Sequence, residues 1–131
     1  MKNLIDIALK ATQNSYAPYS NFKVGAAIEL DNGEIVTGAN FENASYGLTI
    51  CAERAAIYNA QNQFPNAKIK TLAIATSTPT ENPISPCGAC REVMNEVTKK
   101  QNEDFTVIIQ ATDQKHIKST AKELLPLAFK L

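Results

Sequence analysis

Apolar residues recur near the start of the chain at Leu4, Ile5, Ile7, Ala8 and Ala11, a near-helical spacing that predicts a helix over residues 2–14. The run Tyr16-Ala17-Pro18-Tyr19-Ser20-Asn21 ends it as a loop. Residues 22–30 then read as a strand, Asp31-Asn32-Gly33 as a hairpin turn and residues 34–38 as the returning strand. The alanine-rich stretch 51–62 reads as a helix. Residues 71–76 are apolar without clean alternation, as in a strand buried on both faces. A helix over 88–99, a strand over 105–109, a short strand near 115–118 and a short helix near 120–125 complete the series. The order α-β-β-α-β-α-β-β-α predicts a three-layer α/β/α sandwich around a mixed five-stranded sheet. The hairpin supplies its antiparallel edge, and the strand-helix-strand crossover a parallel pair of right-handed connection.

Composition narrows the function. The 131 residues fit one domain spanning 1–131, with no internal repeat or low-complexity segment, and are enough to bury a core without disulfide staples. No run approaches the ~20 apolar residues of a membrane span. Asp6 and Lys10 interrupt the N-terminal apolar run, so no signal peptide is read and a cytoplasmic location is expected. Thirteen basic and thirteen acidic side chains leave no net charge. The lysines are scattered, with Lys99-Lys100 the only dense stretch, which argues against a long nucleic acid and for a neutral small molecule as partner.

The chemistry lies in three cysteines, an odd number that argues against a disulfide framework. Cys87 and Cys90 in Pro86-Cys87-Gly88-Ala89-Cys90-Arg91 share one face of a helical turn, and Pro86 suits the loop just before a helix. Cys51, in Cys51-Ala52-Glu53-Arg54, opens the other helix. Helix N-termini favour thiolate, and thiolates suit zinc. A small buried hydrophobe is the alternative for any one cysteine alone. The single histidine, His116, reads as a solvated side chain rather than a fourth ligand. Three ligands leave one position open, as in catalytic rather than structural zinc sites.

Glu53 follows Cys51 by two residues, so the two converge only on a site in front of the helix end. There Glu53 can take a proton from zinc-activated water and pass it on; otherwise it is a first-turn acid favouring the helix dipole. Three thiolates and Zn²⁺ sum to −1. Arg54, one of only two arginines, is assigned to donate to the thiolates and offset that charge, a surface salt bridge being the alternative.

The pattern C-x-E followed by P-C-x-x-C resembles the signature of zinc deaminases, with cysteine where some relatives carry histidine. Nearly the whole chain resembles the small cytidine deaminases, through Tyr16–Ser20, Phe22–Ala27, Asn40–Gly47, Cys51–Arg54, Ser85–Arg91 and Leu124-Leu125-Pro126 with Phe129. Phe41 and Leu127 are minor departures from that pattern. The resemblance implies the cytidine deaminase-like fold, one Zn²⁺ per subunit on Cys51, Cys87 and Cys90, and Glu53 as the proton carrier. It implies hydrolytic deamination of cytidine and deoxycytidine with release of ammonia, a role in pyrimidine salvage. It also implies that Asn40 and Glu42 bind the ribose, that Phe22 packs on the base, and that the Ala52 backbone holds the base carbonyl. Tyr46 is placed near the sugar and the subunit contacts, and Phe129 over a neighbouring subunit's site. The small members are homotetramers, so a homo-oligomer, a tetramer, is expected.

Without the resemblance, Asn40 and Glu42 read as polar loop residues and Phe22 as a core side chain. Three rivals stay open: a deaminase of another aminopyrimidine such as blasticidin S, a structural zinc or redox module on Cys87-x-x-Cys90, and nucleic-acid editing.

Overall fold

The structure, a computed structural model, describes residues 3–78, 80–111 and 116–131. Helix α1 (Leu4–Ala11) begins where the Asn3 side chain accepts a hydrogen bond from the Ile5 N–H. It buries Ile5, Ala8 and Ala11, three of the five residues that set its sequence period. A 3₁₀ turn (Thr12–Asn14) finishes it, within the predicted 2–14; Lys2 lies outside the described residues.

Strand β1 (Val24–Leu30) pairs antiparallel with β2 (Ile35–Ala39) across the predicted Asn-Gly hairpin. Gly33 there takes φ +87°, which a side chain would oppose. Strand β1 starts two residues later than the pattern suggests, because the Phe22 and Val24 N–H groups bond to the side chains of Ser20 and Asn40. Helix α2 (Ala52–Gln63), β3 (Ile69–Thr76), helix α3 (Gly88–Gln101), β4 (Thr106–Gln110) and β5 (His116–Thr120) follow. Lys115, at the edge of the expected final strand, lies outside the described residues.

The sheet runs β2-β1-β3-β4-β5. Only β3 and β4 are parallel, with α3 as their crossover. Leu72 to Thr76 of β3 are buried without interruption, as expected of a strand covered on both faces. On one face, Ile5 and Ala8 of α1 cluster with Ala27, Ala73 and Ala75. On the other, the α2 residues Ala56, Ile57 and Ala60 and the α3 residues Cys90, Met94 and Val97 pack with Ile28, Leu72, Ile74 and Val107. This is the three-layer arrangement predicted.

Both flanking layers lie unusually close to the sheet. A Cβ at Gly25 would fall 2.0 Å from the Ala8 carbonyl oxygen of α1, and one at Gly38 would fall 2.4 Å from the Ala56 nitrogen of α2. The chain therefore needs glycine at these two points.

The expected C-terminal helix near 120–125 is absent: residues 121–127 form successive turns and a bend. A single helical bond, Leu124 N–H to Thr120 C=O at 3.1 Å, is not propagated. Pro126 has no N–H to continue the ladder and disfavours helical geometry at Leu125.

Candidate active site

The register of the sheet determines where the site forms. Val24 pairs with Thr76 and Gly25 with Ala39, so the start of β1 and the ends of β2 and β3 lie at one end of the sheet. The chain turns back from β2 into α2 and from β3 into α3, and both helices return from that end with their N-termini toward it. Cys51 is the N-cap of α2 and Cys87 the N-cap of α3, neither making a side-chain capping bond. Cys90 lies in the first turn of α3. The first N–H groups of each helix lack intrahelical acceptors, so both ends carry positive potential toward the sulfurs.

The three sulfur atoms lie within 4.8 Å of one another, with Cys51 to Cys87 at 3.8 Å and Cys87 to Cys90 at 3.5 Å. All three cysteines are free. Cys90 is fully buried, Cys51 half-buried and Cys87 exposed. Among the described residues, no histidine or carboxylate completes this cluster. His116 is exposed at the start of β5 opposite Gln110, outside it. Three soft donors converging without a fourth fit one zinc ion per subunit with one coordination position left for a small molecule.

The electrostatics fit the same ion. Cys51 is pushed down to about 5, most strongly by the neighbouring Cys90 thiol, with further help from Arg54 and Cys87 against its burial. Cys90 is pushed up by its contact with Cys51 and by burial. The sulfurs thus share protons that a dication would displace. Arg54 Nη2 donates to Cys51 Sγ at 3.4 Å, and this thiolate contact raises the Arg54 pKa. The Arg54 Nε is buried with no acceptor among the described residues, a burden of about 1–3 kcal/mol. Charge beside sulfur, rather than a full set of hydrogen bonds, therefore holds this guanidinium in place.

Glu53 is 5% exposed. Burial, with the nearby Cys51 charge, pushes its carboxyl up to about 7. A carboxyl that exchanges its proton near neutrality is matched to proton transfer in both directions.

A cavity of about 260 Å³ opens in front of these groups, lined in part by Phe22, Tyr46, Cys51, Ala52 and Cys87. Asn40, Glu42 and Glu53 also line it. Residues 40–42 extend the strand pattern: Phe41 exchanges hydrogen bonds with Ile50, while Asn40 C=O and Glu42 N–H bond to Tyr16. The alternation leaves Asn40 and Glu42 buried and the Phe41 ring outside against Tyr16, centroids 4.8 Å apart.

Both buried side chains are tied into the fold. Asn40 Oδ1 accepts from Ser15 Oγ and the Val24 N–H, and Nδ2 donates to Phe22 C=O at 2.8 Å. Glu42 Oε1 accepts from the Tyr19 and Ser20 N–H groups, and Oε2 from the Ser20 hydroxyl. The Ser20 hydroxyl is the main cause of a lowered Glu42 pKa, so this carboxylate stays charged.

Tyr46 sits in a 3₁₀ turn (Tyr46–Leu48) at the rim, 72% exposed. Phe129 is 73% exposed on the C-terminal segment, and is not among the residues lining this cavity. Sequence reasoning missed Ser15 and Ser20. They act across 25 and 22 positions of the chain, and no local spacing signals them.

Residues 1–102 match the model of the cytidine and deoxycytidylate deaminase zinc-binding region. The chain belongs to that deaminase family. It is 43% identical over 126 residues to a cytidine deaminase of Halalkalibacterium halodurans, covering 96% of this chain and 91% of the relative. It is 39% identical to a probable cytidine deaminase of Dictyostelium discoideum, covering 98% and 83%. A crystal structure of cytidine deaminase from Burkholderia pseudomallei superposes with a TM-score of 0.85 at 40% identity, covering 98% of this chain and all of that one. The deaminase family match includes both helix ends that carry the cysteines.

Proposed function

We propose that this chain is a zinc-dependent deaminase that hydrolyses cytidine and deoxycytidine to uridine and deoxyuridine, releasing ammonia. The observation that carries this reading is a convergence: a three-sulfur cluster, a buried Glu53 and the Asn40–Glu42 pair border one cavity. Its volume, about 260 Å³, lies just below the usual small-ligand range of about 300–1,000 Å³. Zinc, when bound by Cys51, Cys87 and Cys90, supplies a Lewis acid and a water of lowered pKa. Glu53 takes a proton from water as the water oxygen bonds to C4 and delivers it to N3 of the cytosine ring; it then takes the second proton from the new C4 hydroxyl and gives it to the amine as the C4–N bond breaks. Burial, the main cause of the raised Glu53 pKa, makes the carboxyl a better proton acceptor, suited to both acceptance and return. Arg54 offsets the excess negative charge of three thiolates around a dication.

The sugar reading rests on unused bonding capacity. Asn40 retains one Nδ2 hydrogen, and Glu42 one acceptor position on Oε2. One donor beside one acceptor is the complement of a sugar hydroxyl. With its pKa lowered, a charged Glu42 would repel a phosphate, which favours a nucleoside over a nucleotide. The Ala52 N–H, at the open first turn of α2, is suited to the base carbonyl, and Phe22 to the base face.

The homotetramer is supported by aromatic residues left exposed, Tyr46 at the cavity rim and Phe129 on the tail. We assign Phe129 to a neighbouring subunit's site, the full 131 residues to one catalytic domain, and the enzyme to the cytoplasm. No helix among the described residues is long and apolar enough to cross a membrane. The test is ammonia release from cytidine, deoxycytidine, cytidine 5′-monophosphate and blasticidin S. Turnover of the first two and exclusion of the others is expected; inactivity on both nucleosides would refute the reading.

A further inference from the structure

The three cysteines are not held alike. Cys51 has Arg54 against its sulfur, and Cys90 is locked inside the first turn of α3. Cys87 precedes that helix, is exposed, and has no side-chain cap. The chain leading to it is weakly tied: Ile84 N–H bonds to Gln110 C=O, and Ser85 N–H closes only a tight turn to Pro83 C=O. Pro86 has no N–H to contribute.

Arg91 supplies the missing ties. Its Nε donates to Pro86 C=O at 2.8 Å, Nη2 to Ser85 Oγ at 3.0 Å and Nη1 to Leu124 C=O at 3.0 Å. Side chains on a helix lean toward its N-terminus, so position 91 reaches back over Cys87 and Pro86. A cation in the first turn opposes the helix dipole, so general electrostatics do not favour arginine here. The planar guanidinium fork, however, spans three acceptors at once, which a lysine ammonium on its single flexible stem does not reproduce.

We propose that Arg91 is a positioning residue: it fixes the Cys87 sulfur for zinc and braces that loop against the C-terminal turns at Leu124. The proposal rests on the zinc reading and extends it to the tail. Two consequences follow from the shared guanidinium. Loosening the clamp frees Cys87 and hastens zinc release. Zinc binding, by ordering the Cys87 loop, also steadies the Leu124 segment, since coupling between two sites is reciprocal.

The test uses full-length zinc-loaded wild type, Arg91→Lys and Ser85→Ala, the last removing one of the three bonds. Zinc transfer to a colorimetric chelator is timed. Amide hydrogen exchange over residues 121–126 is followed with and without zinc, and kcat and KM for cytidine are measured. Arg91→Lys is expected to release zinc about 10–100 times faster, the usual range for losing a partner that orients a metal ligand. Its kcat should fall while KM stays within about twofold of wild type. Ser85→Ala should show a smaller change in the same direction. In wild type, exchange at 121–126 should quicken when zinc is removed, and in Arg91→Lys that zinc dependence should vanish. Equal zinc release by wild type and Arg91→Lys, or tail exchange indifferent to zinc in wild type, would overturn the proposal alone. A wild-type chain that bound no zinc would overturn the metal reading and this proposal with it.

Discussion

The two ends of the cavity are built differently. At the metal end, helix termini bring Cys51, Glu53, Cys87 and Cys90 together within one chain, and two of these side chains are buried. At the end proposed to hold the sugar, Asn40 and Glu42 are buried and bonded while the rim residue Tyr46 is largely open; Phe129, on the tail outside the cavity lining, is exposed too. The chemical groups are thus preorganised by local helix geometry, while the groups assigned to enclosing the substrate, Tyr46 on a 3₁₀ turn and Phe129 on the irregular tail, are exposed. Substitutions at the first end should therefore act on the chemical step, and those at the open rim on binding.

The sharpest contrast sets Glu53→Gln against Tyr46→Ala. Glu53→Gln should lower kcat by about 10³-fold with zinc content unchanged, within the range for removing a general acid–base group. Tyr46→Ala should act mainly on KM, leaving stability within about 0.5 kcal/mol. Comparable losses of kcat from both would erase the distinction.

The next effect is on stability and concerns the metal end alone. The Glu53 pKa is raised from 4.5 to about 7 by folding, so the folded chain binds more protons than the unfolded one in that window. Stability from this group is complete below the ordinary carboxylate pKa and is lost as pH rises through about 7. In zinc-stripped protein, Glu53→Gln should match wild type near about pH 5. At about pH 8.5 it should be more stable by about 3 kcal/mol, at about 1.4 kcal/mol per pH unit. Denaturant unfolding at the two pH values measures this, and a difference of the same size at both would contradict it.

Asn40→Ala probes the buried part of the end proposed to hold the sugar. It leaves the Val24 N–H and Phe22 C=O without their partner and should destabilise the chain by about 2–3 kcal/mol, besides lowering kcat/KM. Glu42→Gln keeps the shape but removes the charge, so it should admit cytidine 5′-monophosphate better than wild type does. The smallest effect lies on the tail. Leu127 takes φ +54° with a fully exposed side chain, so Leu127→Gly should stabilise the chain by about 1 kcal/mol in thermal unfolding.

Much of this was legible in the sequence because it is local. The Leu4–Ala11 periodicity, the Asn-Gly turn and the apolar run at 71–76 each encode their element within a few residues. The same holds for Cys87-x-x-Cys90, one helical turn in length. What was illegible is long-range or cooperative. Ser20 reaches Glu42 across 22 positions, and Arg91 reaches Leu124 across 33. The C-terminal residues have helical propensity, yet Pro126 allows them a single turn. Asn40-x-Glu42 reads locally as a polar loop, and becomes an inward-facing pair only because Tyr16 and Ile50 extend the strand geometry to Phe41.

The central claim, that one zinc held by three cysteines of a single chain runs the reaction, is tested most directly by reconstitution. Zinc is titrated into stripped protein while uridine formation from cytidine is followed. Activity should rise in proportion to zinc and break sharply at one ion per chain. Activity indifferent to zinc, or a break at any other ratio, would contradict the account.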